Sequence, residues 1–411
     1  MRLFVTIYEE TREAALAAIR SLQAPHDGIE LRAERFAALD LQALRASTEK
    51  PILLTYRGSR VPDVRAALAA GIDLVDVEWS RDVVIEVPER TVLSHHDYEG
   101  MREVESIVAD MRTRGCAHVK LAATPANFAD NERLLALLPG TVIGMGERGL
   151  YSRILAPFLG SELAFVAASN VAAPSQLTLE RALEIYGRAP LRAERVFAVV
   201  GNPAGHSLSP SIHNRLFRDK GVPAAYTIAS IESFAEIEEA FLRGNPCGLS
   251  VTAPFKDDAL RFAQKIGADV ASNANRAKAV NTLVNVGGRI FADNTDVDGF
   301  AALIPREATK AAVVGAGGTA RAALVALADA NIPARVYNRT ASKGDAPLGE
   351  LRHFDGDLII NTLPGNVEVA LPSARTIIHA AYGHGRTGGL ALLQAQAVRQ
   401  HALFMKVFDG L

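Results

Sequence analysis

The chain has 411 residues, of which 49% are hydrophobic and 22% charged, and its formal net charge is −2. This length is typical of two or three globular domains, and the near-neutral charge excludes a general attraction to nucleic acid or acidic membranes. Two cysteines without metal-ligand spacing, and no apolar run of membrane-spanning length, favour a cytoplasmic protein with small-molecule partners and with neither a disulfide framework nor a bound metal.

The first half of the chain alternates strand-like apolar runs with helical patterns. Eight strands in this alternation predict a closed (β/α)8 barrel over residues 1–190. The predicted helices include Arg12–Leu22, Val64–Ala70, Met101–Thr113, Asn127–Leu138 and Thr178–Tyr186. The predicted strands are Leu3–Tyr8, Gly28–Arg32, Ile52–Arg57, Asp73–Glu78, Val92–His96, Ala117–Leu121, Thr141–Met145 and Glu162–Val166.

Polar residues cluster where these strands end. Since the active site of such a barrel lies at the C-terminal ends of its strands, and an unpaired polar group in a core costs free energy, we interpret the cluster as a catalytic rim. Side-chain alternation directs Glu78, His96 and Lys120 inward. The rim comprises Glu30, Arg32, Arg57, Glu78, His96 and Lys120, with Arg153 and Gln176 in the segments after strands seven and eight.

This combination predicts Schiff-base chemistry. A neutral Lys120 amine attacks a carbonyl, and we expect an apolar pocket and nearby arginines to lower its pKa. His96 then moves protons near neutral pH, and Glu78 sets its tautomer. Arg153 offers a forked partner for a substrate carboxylate.

The same residues resemble a known family. The segments Glu30-Leu-Arg32, Thr55-Tyr-Arg57, Val77-Glu78, Ser94-His-His96-Asp97, Val119-Lys120, Ser152-Arg153 and Pro174-Ser-Gln176 together resemble type I 3-dehydroquinate dehydratase. The resemblance implies that Lys120 forms the imine, that His96 is the acid/base with Glu78 as its partner, and that the remaining rim residues bind substrate. Glu34, Ala172 and His118 depart from the family pattern, so we expect weakened substrate binding.

The second half begins with another strand, at Val196. Further strands and helices follow it, and we expect a substrate-binding domain over residues 195–305. A strand that turns into a helix through Gly315-Ala316-Gly317-Gly318 predicts a Rossmann dinucleotide-binding domain over residues 306–380. A C-terminal helical segment, residues 381–411, is expected to pack back on the substrate domain. The fold class is therefore α/β throughout, a (β/α)8 barrel followed by a two-domain α/β unit with a Rossmann domain.

The second strand of the Rossmann unit predicts the cofactor. Asn338-Arg339-Thr340 and Lys343 follow it, at the position where an NAD site commonly carries a carboxylate. Arginine and lysine attract a 2′-phosphate, which favours NADP. The alternative is that Arg339 is only a solvated surface residue.

Polar loops between the strands predict the second active site. Ser207 and Ser209 suit a carboxylate, and Lys256 with Asp296 forms a proton-transfer pair for carbonyl reduction. These loops resemble shikimate dehydrogenase, in segments that run from Gly201 through Asn214 and Ser250-Val-Thr252-Ala-Pro-Phe-Lys256 to Asn338-Arg339-Thr340. The resemblance implies that Lys256 and Asp296 are catalytic, that NADPH is the cofactor, and that shikimate is bound by Ser207, Ser209, Thr252, Asn281, Tyr382 and Gln396. Two departures, Ser250 and the stretch 361–365, affect substrate and nicotinamide contacts respectively.

The two resemblances imply consecutive steps of the shikimate pathway. 3-Dehydroquinate would be dehydrated in the barrel, and the resulting 3-dehydroshikimate would be reduced in the second half. Two alternatives remain open: a quinate or shikimate dehydrogenase with an impaired barrel, and a non-catalytic regulator that senses metabolites. The residues leave the assembly open, with a homodimer among the options.

Overall fold

The computed structural model describes residues 1–36, 38–58, 63–382 and 388–409. The chain divides into two compact units, Met1–Glu194 with Phe217–Ile231, and Arg195–Leu216 with Glu232–Leu411. The finer division into four domains stays a prediction, and the predicted C-terminal segment lies outside the described residues at 383–387 and 410–411. No helix among the described residues combines the length and the hydropathy that a membrane crossing requires.

The first unit contains the expected eight parallel strands. They follow one another in the order β7-β6-β5-β4-β3-β2-β1-β8, and a parallel bridge between Gly140 and Ser161 joins β7 to β8. The predicted barrel is confirmed. The strands are β1 Arg2–Ile7, β2 Gly28–Arg32, β3 Ile52–Thr55, β4 Leu74–Glu78, β5 Thr91–Asp97, β6 His118–Ala123, β7 Thr141–Gly144 and β8 Leu163–Ala167.

Helices follow most of these strands. Three of them begin at an aspartate or asparagine whose side chain accepts a hydrogen bond from the backbone of the first turn, which satisfies an otherwise unpaired N–H group. The helices are α1 Arg12–Ser21, α2 Leu41–Arg45, α3 Val64–Ala69, α4 Val104–Thr113, α5 Phe128–Ala136, α6 Leu150–Leu159 and α7 Leu179–Tyr186, with short 3₁₀ helices at Ala33–Arg35 and Pro88–Arg90.

The barrel interior has an apolar layer below a polar one. The apolar layer is a buried cluster that includes Phe4, Leu53, Leu74, Val92 and Leu163. Two residues further along β1, β3, β4 and β5, the side chains are polar and still buried, whereas β8 has Phe165 at this level. Because side chains alternate along a strand, both layers belong to the inward face. The buried polar layer consists of Thr6, Glu30, Thr55, Asp76, Ser94 and Lys120.

The end of β7 meets the start of α6 at very short range. A Cβ atom added at Gly144 would lie 2.3 Å from the Gly149 carbonyl oxygen and 2.3 Å from the Ser152 hydroxyl. Only glycine allows this approach, which places Arg153 directly behind the barrel rim, where its Nε donates to the Gly144 carbonyl oxygen at 2.8 Å. Strand β10, Ala224–Ser230, also belongs to this unit, and the Thr227 hydroxyl donates to the carbonyl oxygen of residue 151.

The second unit contains two sheets. In the first, strands β9, β11, β13, β14 and β12 are neighbours in that order. Its elements are β9 Arg195–Gly201, α8 Ser209–Asp219, α9 Ala235–Leu242, β11 Gly248–Val251, α10 Lys256–Lys265, β12 Asp269–Val270, α11 Ser272–Ala277, β13 Thr282–Val286, β14 Arg289–Asp293 and α12 Asp296–Leu303.

The second sheet is parallel, with the order β17-β16-β15-β18-β19. This order agrees with the expected Rossmann fold, in which the first strand lies at the centre. Its elements are β15 Ala311–Val314, α13 Gly318–Asp329, β16 Ala334–Asn338, β17 Ala346–Pro347, β18 Leu358–Asn361, β19 Thr376–His379 and α14 Leu390–Asp409, with 3₁₀ helices at Ala341–Lys343 and Leu348–His353.

Helix α14 packs against α12 and β13. The two helices approach closely at Gly299, where an added Cβ atom would lie 3.0 Å from the side chains of Leu392 and Gln396. This contact brings the polar face of α14 to the carboxyl ends of β9 and β11.

We expect Gly144→Ala to lower the free energy of unfolding by about 1–3 kcal/mol, because the new methyl group meets backbone atoms that cannot move freely. The matched control is Gly100→Ala, where an added Cβ atom meets nothing within 4 Å. Chemical denaturation of both variants checks the prediction. Equal stability of the two variants would contradict the close packing of β7 against α6.

Candidate active sites

The carboxyl ends of the barrel strands surround one cavity. All but one of the sequence-predicted rim residues line it, and Glu78 lies behind His96 instead. The lining includes Glu30, Arg32, Arg57, His96, Lys120, Arg153 and Gln176, together with Thr6, Tyr98, Phe165 and Ala172.

Lys120 lies between two buried carboxylates. Its Nζ is 3.3 Å from Glu30 Oε1 and 3.3 Å from Asp76 Oδ2, and 4.0 Å from the centre of the Phe165 ring. Both carboxylates form ion pairs with the amine, and Arg57, one of the arginines expected nearby, binds Asp76. The strand register places these side chains at the same level of the barrel. Thr6 pairs with Glu30, and Ser94 pairs with Lys120, across neighbouring strands.

Glu30 is held by three hydrogen-bonding groups. Beside Lys120 it accepts hydrogen bonds from Thr6 at 2.8 Å and from Thr55 at 3.1 Å. Burial by itself would raise its pKa, but the charges of Lys120, Arg32 and Arg57 outweigh burial and lower it. Glu30 is therefore a buried anion that fixes the lysine amine.

Asp76 is the second anion, and the sequence analysis did not assign it to the site. Arg57 binds it through two hydrogen bonds, of 2.6 and 3.0 Å, and the Ser94 hydroxyl donates to it at 2.6 Å. Burial opposes its ionisation, but Arg57 and Lys120 hold the pKa of Asp76 far below its ordinary value. The signal was present in the sequence, because Asp76 shares the inward face of β4 with Glu78.

His96 and Glu78 form the expected pair. His96 Nδ1 donates to Glu78 Oε2 at 2.7 Å, and the His96 backbone N–H donates to Glu78 Oε1 at 2.8 Å. Arg57 Nη2 lies 3.2 Å from His96 Nε2. Because arginine can only donate, Nε2 is an acceptor in this arrangement and the ring is neutral. Burial, together with the charge of Arg57, lowers the pKa of His96 although the bond with Glu78 opposes the shift.

Arg153 is a buried cation with unused hydrogen-bonding capacity. Its Nη2 has no hydrogen-bond partner among the described residues, and burial lowers its pKa to about 10, so it stays charged at neutral pH. Gln176 lies nearby in the lining, where its Nε2 donates to the Thr6 hydroxyl at 3.0 Å and its Oε1 accepts from the Ala172 backbone at 3.0 Å. An anionic ligand would satisfy the open donor of Arg153.

The three residues that depart from the family pattern lie at different distances from the cavity. Ala172 lines the cavity, whereas His118 lies at the opposite end of β6. There His118 contacts Arg2 at 2.5 Å and Glu162 at 2.5 Å. Glu34 forms an ion pair of 2.6 Å with Arg32. Of the three, Ala172 and Glu34 therefore affect the neighbourhood of the cavity, and His118 does not line it.

The second unit has a cavity of its own. Every residue that the sequence analysis assigned to its substrate and catalytic groups lines this cavity. The lining includes Ser207, Ser209, Thr252, Lys256, Asn281, Asp296, Tyr382 and Gln396, and adds His206, Ser250, Thr319 and Gln400.

Lys256 and Asp296 are in direct contact. Lys256 Nζ lies 2.5 Å from Asp296 Oδ2 and 2.9 Å from the Thr319 hydroxyl. Asn281 donates to the other oxygen of Asp296 at 2.9 Å. Each of the two carboxylate oxygens thus has a donor, and the carboxylate is held at the start of α12.

Gln400 is a buried residue that the sequence analysis missed. Its Oε1 accepts from the Ser250 hydroxyl at 2.7 Å, and its Nε2 donates to the Thr282 hydroxyl at 2.8 Å. Gln396, one helical turn earlier, accepts from Thr295 at 2.9 Å. The spacing of four residues between two glutamines on α14 was the available signal, since it places both on one helical face.

The glycine-rich turn lies between β15 and α13. Gly315 has a φ of +108°, and a Cβ atom there would lie 2.5 Å from the Thr362 hydroxyl, so glycine is required. An added Cβ atom at Gly317 meets nothing within 4 Å. Ala316 lies between these two glycines, and Gly318 begins α13.

The segment after β16 carries the predicted cofactor cations. Asn338 donates to the Thr340 carbonyl oxygen at 3.2 Å, and Arg339 and Lys343 are exposed. The start of α13 therefore has open space at Gly317, and the segment after β16 carries two exposed cations.

Comparison with known proteins gives two family matches. Residues 3–189 match the family model of type I 3-dehydroquinase. Residues 199–283 match the model of the shikimate dehydrogenase substrate binding domain.

The chain spans only part of the length of the curated relatives that it matches. It is similar to a pentafunctional AROM polypeptide of Yarrowia lipolytica, with 28% identity over 437 positions that cover 92% of this chain and 27% of the yeast protein. It is also similar to the chloroplastic bifunctional 3-dehydroquinate dehydratase/shikimate dehydrogenase of Arabidopsis thaliana, with 27% identity over 73% of this chain and 58% of the plant protein. The solved dehydroquinate dehydratase and shikimate dehydrogenase from S. pombe AroM shares 22% identity, with 99% of this chain and 98% of that chain covered and a TM-score of 0.39.

We expect the imidazole of His96 to titrate below the ordinary histidine value of about 6.5, because burial lowers its pKa. The ring therefore stays neutral as the pH falls through 6.5 and gains its proton only at lower pH. Glu78→Gln removes the anion that favours the charged ring, so the pKa should fall further. NMR titration of the ring resonances, assigned with His96→Asn, measures both values. A pKa at or above 6.5 in the unmodified chain, or a rise in Glu78→Gln, would contradict this electrostatic account.

Proposed function

We propose that this chain, whose residues 3–189 belong to the type I 3-dehydroquinase family and whose residues 199–283 belong to the shikimate dehydrogenase substrate-binding family, catalyses two consecutive reactions. The barrel dehydrates 3-dehydroquinate, and the second unit reduces the product, 3-dehydroshikimate, to shikimate with NADPH. The observation that supports this most directly is that two cavities each contain a lysine amine held against a carboxylate.

In the barrel, the chemistry begins at Lys120. Its ammonium group, ion-paired with Glu30 and Asp76, first releases a proton to water. The neutral amine then attacks the substrate ketone, a C–N bond forms, and the carbonyl oxygen leaves as water to give an imine. His96 Nε2 removes a proton from the neighbouring carbon, and the electron pair is delocalised into the imine nitrogen. Return of this pair forms a C=C bond as the C–O bond to the next hydroxyl breaks. His96 protonates the departing hydroxyl, and hydrolysis of the imine restores Lys120.

The surrounding groups bind and orient the substrate. The open Nη2 of Arg153 suits the substrate carboxylate, and Gln176 and Arg32 are placed to contact its hydroxyl groups. Asp76 and Glu30 hold the amine of Lys120 until attack, and Glu78 keeps Nε2 of His96 unprotonated. The absent hydroxyl at Ala172 removes one contact, which corresponds to about 1 kcal/mol of binding free energy.

In the second unit, the reaction is a carbonyl reduction. When bound, NADPH supplies the hydride and its two electrons. Lys256 donates a proton to the ketone oxygen as the electron pair reaches it, and Asp296 keeps the lysine in place. Ser207 and Ser209 suit the substrate carboxylate, and Thr252, Asn281, Tyr382 and Gln396 lie around the same cavity.

The residues of the Rossmann unit fit NADP. The open space at Gly317 allows a pyrophosphate to approach the N-terminus of α13, and the exposed cations Arg339 and Lys343 suit a 2′-phosphate. The four-domain division, the cytoplasmic location and the homodimer remain predictions.

A coupled assay tests the proposed function. We expect purified protein with 3-dehydroquinate and NADPH to oxidise the cofactor, because reduction requires the product of the barrel. Lys120→Ala should abolish oxidation with 3-dehydroquinate but not with 3-dehydroshikimate, and Lys256→Ala should lower it with both. Absorbance at the NADPH band measures all of these rates.

Each negative result of the coupled assay points to a different alternative function. Oxidation with 3-dehydroshikimate alone indicates a dehydrogenase with an impaired barrel, and no oxidation with either compound indicates a regulator. Borohydride treatment with 3-dehydroquinate should add the mass of the reduced adduct to the unmodified chain and not to Lys120→Ala. Adduct formation in Lys120→Ala would contradict the imine assignment.

We expect Arg339→Ala to raise the KM for NADPH by about 10- to 100-fold, the cost of one charge-assisted phosphate contact. The KM for NADH should change little. Arg335→Ala is the matched control, because Arg335 lies on β16, which ends just before Arg339, but pairs with Glu350. An unchanged KM for NADPH would show that Arg339 is only a solvated surface residue, and an equal rise for both cofactors would contradict a contact with the 2′-phosphate.

A further inference from the structure

The first turn of α13 lies against the side chain of Lys256. The Thr319 hydroxyl accepts a hydrogen bond from Lys256 Nζ at 2.9 Å, and Thr319 lines the same cavity as Lys256 and Asp296. One residue earlier, a Cβ atom added at Gly318 would lie 3.2 Å from Lys256 Cδ and 3.3 Å from its Cβ. Helix α13, whose N-terminus suits a dinucleotide, therefore also packs against the Lys256 side chain.

The same turn is held to the elements beside Lys256. Arg321 Nε donates to the Ala277 carbonyl oxygen at 2.8 Å, and Arg321 Nη2 donates to that of Lys278 at 3.0 Å. These carbonyl groups end helix α11, where no further intrahelical donor is available. Arg321 also forms an ion pair with Asp257, the residue after Lys256. The first turns of α10 and α13 are thus fixed relative to each other.

The hydrogen bonds limit what the ammonium group can do. A lysine ammonium has three N–H donors, and Asp296 and Thr319 accept two of them. One donor is left for the ketone oxygen of a substrate. Without the Thr319 hydroxyl, the amine is free to rotate about the Asp296 contact, and its proton is less often in line with the ketone.

We propose that Thr319 is a positioning residue for ketone reduction, which aligns the Lys256 ammonium from the dinucleotide-binding helix. This inference rests on the proposed dehydrogenase function. Thr319 acts through Lys256 and contributes chiefly to the rate of the chemical step, whereas Gly317 on the open side of the turn contributes to cofactor binding. The hydride donor and the proton donor are thereby held by one turn of helix.

Thr319→Val tests the proposal, because valine has nearly the same shape and lacks the acceptor. With 3-dehydroshikimate and NADPH we expect kcat to fall about tenfold, the loss of one hydrogen bond to a charged group. The KM for 3-dehydroshikimate and the Kd for NADPH, measured by fluorescence titration, should stay within about twofold. Thr319→Ser retains the hydroxyl and should recover most of kcat. Recovery distinguishes alignment from a purely structural role.

Two neighbouring glycines provide an independent pair. Gly318→Ala places a methyl group against Lys256 and should lower kcat more than it raises the KM for NADPH. Gly317→Ala places the same methyl group in open space at the helix N-terminus and should raise the KM for NADPH more than it lowers kcat. Both variants retain the Thr319 hydroxyl, so the pair tests the contact of α13 with Lys256 even if Thr319→Val does not fold.

The outcomes distinguish failure of the proposed dehydrogenase function from failure of the proposed role of Thr319. Absence of NADPH oxidation by the unmodified chain would overturn the proposed function and, with it, this proposal. An active unmodified chain with unchanged kcat in Thr319→Val would overturn only the role of Thr319. A raised Kd for NADPH with unchanged kcat would make Thr319 a cofactor contact and also overturn the proposal.

Discussion

The buried charges around Lys120 impose the strongest constraint on the barrel. Removing an ion from water costs several kcal/mol unless partners replace its hydration, and loss of one partner leaves an uncompensated charge. Here Glu30 and Asp76 flank the amine, and Arg57 binds Asp76 through two hydrogen bonds. The charges balance only as a group, so the strands that contribute them must stay in register.

This constraint explains the layered interior. Hydroxyl groups of Thr6, Thr55 and Ser94 supply the remaining hydrogen bonds to the two anions, and the apolar layer beneath excludes water from below. The amine is thus rigidly placed before any substrate arrives. His96 and Glu78 form a pair one layer closer to solvent, and Arg57 links this pair to Asp76.

In the second unit, a lysine is also held against a carboxylate, and the residues that hold it lie at the starts of helices. Lys256 begins α10, Asp296 begins α12 and Thr319 lies in the first turn of α13. The lysine meets the aspartate and the threonine at the starts of these helices, where the helix dipole stabilises the aspartate charge. Because the three residues belong to different elements, the position of the Lys256 ammonium depends on how those helices pack, and the ion pair of Arg321 with Asp257 holds α13 to α10.

The sequence by itself determined the order and type of the elements, and with them which residues face inward. The two-residue period of a strand predicted that Lys120, His96 and Glu78 share the inward face, and the glycine-rich turn located the start of α13. What only the tertiary structure decided is which groups touch. Asp76, Gln400 and Thr319 were missed because their partners lie 44, 150 and 63 residues away, and strand register and helix packing, which no local pattern encodes, bring those partners within hydrogen-bonding distance.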